Sequence, residues 1–436
     1  METAELYSLY RDCGCKVSTD SRTIPQGAIF FALRGENFDG NDYALGALEA
    51  GASYAVVNDD VPFEDARLIR VADPFTALQE LAVYHRARLG LRVIGLTGTN
   101  GKTTTKELIA AALGAKYRVS ATKGNLNNDI GVPLTLLSID PSTEIAVVEM
   151  GANHPDDIAK LVKVCRPDYG LITNVGTAHL LGFGSYEGVF AAKTELYKWL
   201  GSRRGSVIFV NTDYPDLAAA ARKQACHQWE FGAASMQAAL LPVSESEPFL
   251  SLKLAGDEVH TKLVGSYNLP NVLAAIAIAD YFGVARKDSI AAIEAYTPSN
   301  QRSQLVRTGR NTLIVDAYNA NPSSMRLAIE NLCSLRASDK LALLGDMREL
   351  GSASLQEHVE IVRLLTAQQL PSILVGEEFA KALAHCGITP GEGCILASFD
   401  SSESLAKHLE DNPVSASTIL VKGSRGIRME KVIPAL

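Results

Sequence analysis

The stretch from Gly95 to Leu108, GLTGTNGKTTTKEL, limits what this chain can fold into more than any other. It follows a short apolar run, Val93 and Ile94, and opens into a helical pattern. A strand that passes through a glycine turn into a helix builds a cradle for an anion. The first helical N–H groups lack intrahelical partners, and the helix dipole favours negative charge there. Gly98 and Gly101 let the backbone close on a phosphate, Lys102 can reach a terminal phosphate, and Thr103 can offer its hydroxyl to Mg²⁺. The literal phosphate-loop pattern wants glycine where this chain has Leu96; Gly95 comes one residue early. The Gly-Lys-Thr core after a strand still predicts a nucleoside triphosphate with magnesium, held by Gly98, Thr99, Asn100, Gly101, Lys102, Thr103 and Thr104.

A chain of 436 residues is too long for one core and suggests two to four domains. With 47% hydrophobic and 21% charged residues it has the balance of a globular enzyme. A net charge of −8 argues against nucleic acid or an anionic membrane as the main partner. No apolar run approaches the ~20 residues that span a bilayer. The first residues, METAELYSLYRDCGC, lack a basic segment followed by an apolar one, so a cytoplasmic protein is expected. Seven scattered cysteines fit a reducing compartment, and the close pair Cys13 and Cys15 is too small a set for a metal site.

The periodicity predicts three α/β domains, at residues 1–89, 90–297 and 298–436. In the first, AIFFAL, ALGALEAGA and YAVV alternate with Gly, Asp and Pro turns. In the second, VIGLTG, IAVVEMGA and YGLITNVG read as buried parallel strands that each run into a polar turn. In the third, TLIVDAY, LALLGDM, SILVG and TILVKGS do the same. Ligands in such sheets gather at the carboxyl ends of the strands. A hinge is expected near Tyr296–Asn300, where Thr297, Pro298 and Ser299 interrupt the pattern.

Several chemical groups sit at those ends. Glu149 closes a buried strand and could share Mg²⁺ with Thr103, since hard cations prefer oxygen. His179 lies in the loop after the next strand, where it can be a ligand or a structural histidine. Lys193, in AAKTEL, reads from its neighbours as a surface lysine. Asn125, Asn127 and Asn128 offer amides to a polar ligand, or simply make turns. Asn268 and Asn271 open an Ala-rich helix; capping explains one of them, and the other is a candidate for base recognition. In LIVDAYNANPSSM a strand ends in Asp316, followed by Tyr318, Asn319 and Asn321; acids in that place often take ribose hydroxyls. Lys422 and Arg425, in VKGSRG, could bind a carboxylate.

The ordered set TGTNGKTTTKE, VVEMGANHP, TNVGTAHL, AAKTE, NLPNVLAA, DAYNANPSSM, LGDMRELG and LVKGSRG resembles the Mur ligase family of peptidoglycan synthesis. The resemblance covers nearly the whole chain. It implies an N-terminal UDP-substrate domain, a central P-loop NTPase-like domain with a mostly parallel sheet, and a C-terminal Rossmann-like domain. DAYNANP and TKGNLNNDIGVPLTLL are similar to the member that joins D-alanyl-D-alanine to UDP-N-acetylmuramoyl-tripeptide, and no DNPR-type motif is present. The implied chemistry is ATP-dependent amide formation with two Mg²⁺ ions. Lys102 and Thr103 would hold the ATP phosphates and the first Mg²⁺, which Glu149 shares. His179 would bind the second, and Lys193 would be carbamylated to become a metal ligand. Asn271 and Arg302 would contact adenine, Asp316 the ribose, and Asn319 the phosphate and incoming dipeptide, flanked by Tyr318 and Asn321. Ser21, Arg22, Gly35, Asp39 and Gly40 would meet the UDP moiety. The same resemblance implies a soluble monomer acting on small molecules. The rival readings are a family member adding a different amino acid, a folylpolyglutamate synthase-like enzyme, and a regulatory ATP-binding switch. The segment ahead of the phosphate loop argues against the folate enzyme.

Overall fold

The structure is a computed structural model that describes residues 1–177, 180–243, 248–337 and 339–436. Its frame is three mostly parallel sheets with helices packed against them. The first sheet runs Val17–Ser18, Ile29–Phe31, Tyr54–Asn58, Leu68–Val71, all parallel. Successive strand side chains point to opposite faces, so Phe30 and Val57 pack on Ala44, Ala47 and Leu48. Ile29, Phe31 and Val56 pack the other way, in one core with Leu78 and Leu81 of the helix Pro74–Leu89. That helix begins where Asp73 accepts from the Phe75 and Thr76 N–H groups, with proline in the first position, and ends at the left-handed Gly90.

The central sheet has the order His227–Phe231, Val207–Asn211, Tyr169–Ile172, Arg92–Thr97, Ile145–Glu149, Val119–Ala121, and every pair is parallel. Both faces are covered, which is why its strands read as unbroken apolar runs. Val93, Val148 and Ile172 face helices Asp157–Cys165 and Tyr186–Gly201. Ile94, Leu96 and Val147 face helices Lys102–Gly114 and Leu269–Tyr281. In the last of these, residues 272–279 are all apolar and buried, because a small antiparallel sheet of Ala238–Leu240, Phe249–Leu254 and Asp257–Val264 closes over the same core. That antiparallel sheet was not foreseen from the sequence.

The third sheet runs Gln304–Arg307, Thr312–Asp316, Thr418–Lys422, Lys340–Gly345, Ser372–Val375, Ile395–Phe399. Only the edge strand Gln304–Arg307 is antiparallel to its neighbour. The stretch expected to be a hinge is fastened rather than loose. The Tyr296 hydroxyl and the Asn300 amide both donate to the Glu107 carboxylate, and Lys262 Nζ donates to Thr297 Oγ1 at 3.3 Å. Left-handed backbone comes just after it, at Gln301 (φ 59°) and Ser303 (φ 48°).

Candidate active site

The phosphate loop leaves strand Arg92–Thr97 and enters helix Lys102–Gly114 with Gly98 at φ 152° and Gly101 at φ 76°. A side chain at Gly98 would meet Thr173 Oγ1 at 1.9 Å, so glycine is required for packing as well as for conformation. The loop is held from the neighbouring strand end. Asn174 accepts from the Asn100 N–H at 3.0 Å, and Thr173 Oγ1 donates to the Asn100 carbonyl at 2.7 Å. Behind it, Thr105 Oγ1 donates to Asn271 Oδ1 at 3.0 Å, and Asn271 in turn donates to Asn268 at 2.9 Å. Asn271 is therefore a buried brace for the loop, and Asn268 donates to Val264 and Ser303 rather than capping its helix. Thr104 is buried in the first helical turn.

Lys102 Nζ folds back onto the loop, donating to the carbonyls of Gly98 at 2.8 Å and Thr99 at 3.1 Å. Burial lowers its pKa, opposed by the charge of Glu149 and aided by that of Arg302. Glu149 is 1% exposed at the end of its strand. It accepts from Thr103 Oγ1 at 3.0 Å and from Asn127 Nδ2 at 2.8 Å, and its N–H donates to Thr122 Oγ1 at 2.9 Å. All these partners are neutral, and no ion pair to Glu149 forms among the described residues. A buried carboxylate next to a threonine hydroxyl is an oxygen donor set suited to a hard cation. In the same loop Asn128 Oδ1 accepts the Gly131 N–H at 2.8 Å, opening the helix Gly131–Leu137, and Asn125 is exposed.

Lys193 is 2% exposed on helix Tyr186–Gly201, which overturns the surface reading drawn from its neighbours. Nothing local to AAKTEL reveals that this face of the helix turns inward. Its Nζ lies 6.0 Å from the Phe183 ring centre. Burial pushes the pKa well below that of an ordinary lysine, the charge of Lys102 adds to this, and Asp157 opposes it. His179 lies outside the described residues.

The DAYNANP loop comes to the phosphate loop directly. Asn321 Nδ2 donates to Asn100 Oδ1 at 2.8 Å, and Asn100 Nδ2 donates to Ser323 Oγ at 3.0 Å. Ser323 Oγ donates back to Asn321 Oδ1 at 2.9 Å, closing a three-membered ring of polar side chains. Asn321 also caps the helix Pro322–Ser334 through the Ser324 N–H. Ser323, Asn174 and Thr122 are the participants that the motif reading missed; Thr122 and Asn174 lie one and two residues past strand ends, and Ser323 lies in the first turn of its helix. Asp316 pairs with Lys422, whose amine also donates to the Asn319 carbonyl at 3.3 Å. Lys422 is 1% exposed, so it faces Asp316 rather than an open carboxylate site as expected. Asn319 is exposed. Tyr318 has the Arg302 guanidinium 3.9 Å from its ring centre and that of Arg425 at 5.5 Å. Asn300 Oδ1, Gln301 Oε1 and Arg302 Nε are buried with no hydrogen-bond partner among the described residues. Such atoms are costly unless a ligand satisfies them, and they fit the polar edge of a base.

The N-terminal candidates stand apart. Arg22 pairs with Asp20 in an exposed turn, beside Ser21. Gly35 and Asp39 belong to the hairpin of Arg34–Gly35 with Phe38–Asp39. Asp39 binds Arg34 at 2.9 Å and the Asn41 N–H at 2.9 Å, while Gly40 is buried with its N–H on the Leu33 carbonyl. Among the described residues no hydrogen bond joins this segment to the phosphate loop.

Comparison with known proteins identifies the family. The model of the Mur ligase middle domain matches residues 96–279, that of the Mur ligase, glutamate ligase domain residues 301–425, and that of the Mur ligase family, catalytic domain residues 16–86. A UDP-N-acetylmuramoyl-tripeptide–D-alanyl-D-alanine ligase of Bacillus subtilis is 35% identical, over 96% of this chain and 92% of that protein. A crystal structure of MurF from Acinetobacter baumannii superposes with a TM-score of 0.83 at 31% identity, covering 96% of this chain and 92% of the other. MurF ligase from Thermotoga maritima in complex with ADP gives 0.82 at 28% identity, covering 96% of each chain. No described helix is long and apolar enough to cross a membrane.

Proposed function

This chain belongs to the Mur ligase family, and from that premise we propose that it joins D-alanyl-D-alanine to UDP-N-acetylmuramoyl-tripeptide at the expense of ATP. The observation that carries the reading is the ring of Asn100, Asn321 and Ser323, which brings the phosphate loop and the DAYNANP loop to one edge. A nucleotide on the loop and an amine presented by the third sheet would meet there. We take residues 1–89, 90–297 and 298–436 as the UDP-substrate, ATP-binding and ligase domains, acting in the cytoplasm.

A carboxylate is a poor acyl donor because its leaving group would be oxide. Attack of a substrate carboxylate oxygen on the γ-phosphorus of ATP, with ADP leaving, makes an acyl phosphate. The dipeptide amine then attacks the carbonyl carbon, loses a proton, and inorganic phosphate departs from the tetrahedral intermediate. Such steps depend on positioning and charge neutralisation rather than on a protein nucleophile. Lys102 would turn from its own loop carbonyls to the phosphates, and Arg302 with Tyr318 and Asp316 would position the nucleoside. Thr103 and Glu149 would hold Mg²⁺, with His179 and a carbamylated Lys193 at a second ion, and the metal supplies charge neutralisation on the phosphates. Burial at Lys193 favours the neutral amine, the form of lysine that reacts with CO₂.

Phosphate release should require ATP, UDP-N-acetylmuramoyl-tripeptide and D-alanyl-D-alanine together. Stimulation by a free amino acid and not by the dipeptide would mean a different family reaction. Hydrolysis indifferent to both small substrates would mean a switch.

A further inference from the structure

Helix Lys102–Gly114 carries a second lysine one turn after Lys102, and no step described above uses it. Lys106 is 3% exposed. Burying such a side chain is costly unless it is paired and hydrogen-bonded, and an apolar chain of similar length would fill the same space without that cost. What Lys106 holds is one backbone oxygen. Its Nζ donates to the Thr122 carbonyl at 2.6 Å, with the Glu107 carboxylate 3.6 Å away. Thr122 is the first residue after Val119–Ala121, a three-residue strand at the edge of the central sheet. An edge strand this short has a partner on one side only, and its end is where pairing opens first. Thr122 is nevertheless buried, and it is bound on every polar atom. Its N–H donates to the Val147 carbonyl at 3.0 Å, and its hydroxyl accepts the Glu149 N–H at 2.9 Å. The turn that follows carries Asn127, whose amide donates to one oxygen of the Glu149 carboxylate at 2.8 Å. Thr103 Oγ1 donates to the other oxygen at 3.0 Å. Thr103 and Lys106 are three residues apart and share one face of their helix. Glu149 is thus gripped twice from that face: at its carboxylate by Thr103, and at its backbone by Lys106 acting through Thr122.

Resting on the reading of Glu149 as a Mg²⁺ ligand, we propose that Lys106 is a positioning residue for that ligand. By pinning the Thr122 carbonyl it keeps the Thr122 hydroxyl against the Glu149 N–H. The same hold fixes the start of the loop that brings Asn127 to the carboxylate. The carboxylate is then aimed before a cation arrives, and little of the cation's binding energy goes into ordering it. Two lysines one turn apart divide the work: Lys102 serves the phosphates, and Lys106 serves the frame that carries the metal ligand.

The test measures binding of a non-hydrolysable ATP analogue by calorimetry, once with Mg²⁺ and once with EDTA. The ratio of the two affinities is the gain that the metal brings, and it needs no turnover. Lys106→Met keeps the length and loses the donor; Thr122→Val keeps the shape and loses the hydroxyl. Each should cut the gain roughly tenfold, the usual size for a partner that orients a metal ligand, and leave the affinity in EDTA unchanged. Thr122→Ser returns the hydroxyl and should return the gain. Lys106→Met combined with Thr122→Val should lose no more than the worse of the two, because both cut one path. Should Lys106→Met fail to fold, Lys106→Gln takes its place, since its shorter side chain lets go of the carbonyl while staying polar. An undiminished gain in the Lys106 variant would overturn the proposal, as would Thr122→Ser as poor as Thr122→Val. So would an equal loss of affinity in EDTA and in Mg²⁺, which would make Lys106 a general support of the nucleotide site. An undiminished gain in Glu149→Gln would instead remove the metal reading of Glu149, and the positioning role with it.

Discussion

Glu149 and Asp316 are both carboxylates at the last position of a parallel strand, one in each of the two larger sheets. Their sequence settings look alike, an apolar run and then a polar turn. Their surroundings differ. Glu149 is held only by neutral donors, Thr103 and Asn127, whereas Asp316 already has the buried amine of Lys422. A buried carboxylate with no cation in direct contact leaves room for an outside one; a contact ion pair does not. The contrast favours Glu149 over Asp316 as the proposed metal ligand, and the Lys422 pair gives Asp316 a structural duty.

The largest effect expected from this contrast falls on the paired acid. Asp316→Ala strands the Lys422 amine and should cost about 3–5 kcal/mol of folding stability in denaturant titration, while Asp316→Ala with Lys422→Met should recover most of it. A single variant with unchanged stability would break the comparison. Next, Glu149→Gln keeps the neutral hydrogen bonds and removes the charge. Turnover should fall roughly 100- to 1,000-fold with stability unchanged, and the concentration of Mg²⁺ needed for half-maximal rate should rise. Lys193 sharpens the contrast from the cationic side, being buried with no ion pair among the described residues. Its folded pKa is lowered, so the unfolded chain binds the proton more tightly and stability should rise with pH up to the ordinary lysine range. Lys193→Met should flatten that rise and increase the melting midpoint by about 2–4 °C in bicarbonate-free buffer at neutral pH, while abolishing turnover. Near-normal activity of Lys193→Arg would exclude the carbamate. The smallest effect belongs to the neutral ring. Asn321→Ala should raise the KM for ATP several-fold, about 1 kcal/mol, and the same change in an Asn100→Ala background should add little.

The parallel strands were legible because both faces are buried and the runs are unbroken, and the phosphate loop because Gly98 and Gly101 have no substitute there. Glu149 was legible from its place at a strand end. Lys193 was not, since the burial of a helix face depends on what lies across from it. The ring of Asn100, Asn321 and Ser323 spans more than 200 residues of sequence separation, and no local pattern pairs them. Asn271 was read as a base contact, and its bonds to Thr105 and Asn268 add a bracing duty under the loop that its sequence setting did not show. Lys106 was passed over although it stands one turn after Lys102; only the fold sets its amine against Thr122.

The attachment of Tyr296 and Asn300 to Glu107 has a practical side for anyone wishing to dissect the chain. A nucleotide-binding half cut after Ala295 would end its helix correctly and still lose both donors to a carboxylate on the helix that carries the phosphate loop. The cut belongs after Asn300, so that the first two-thirds of the protein keep their own fastening when produced alone.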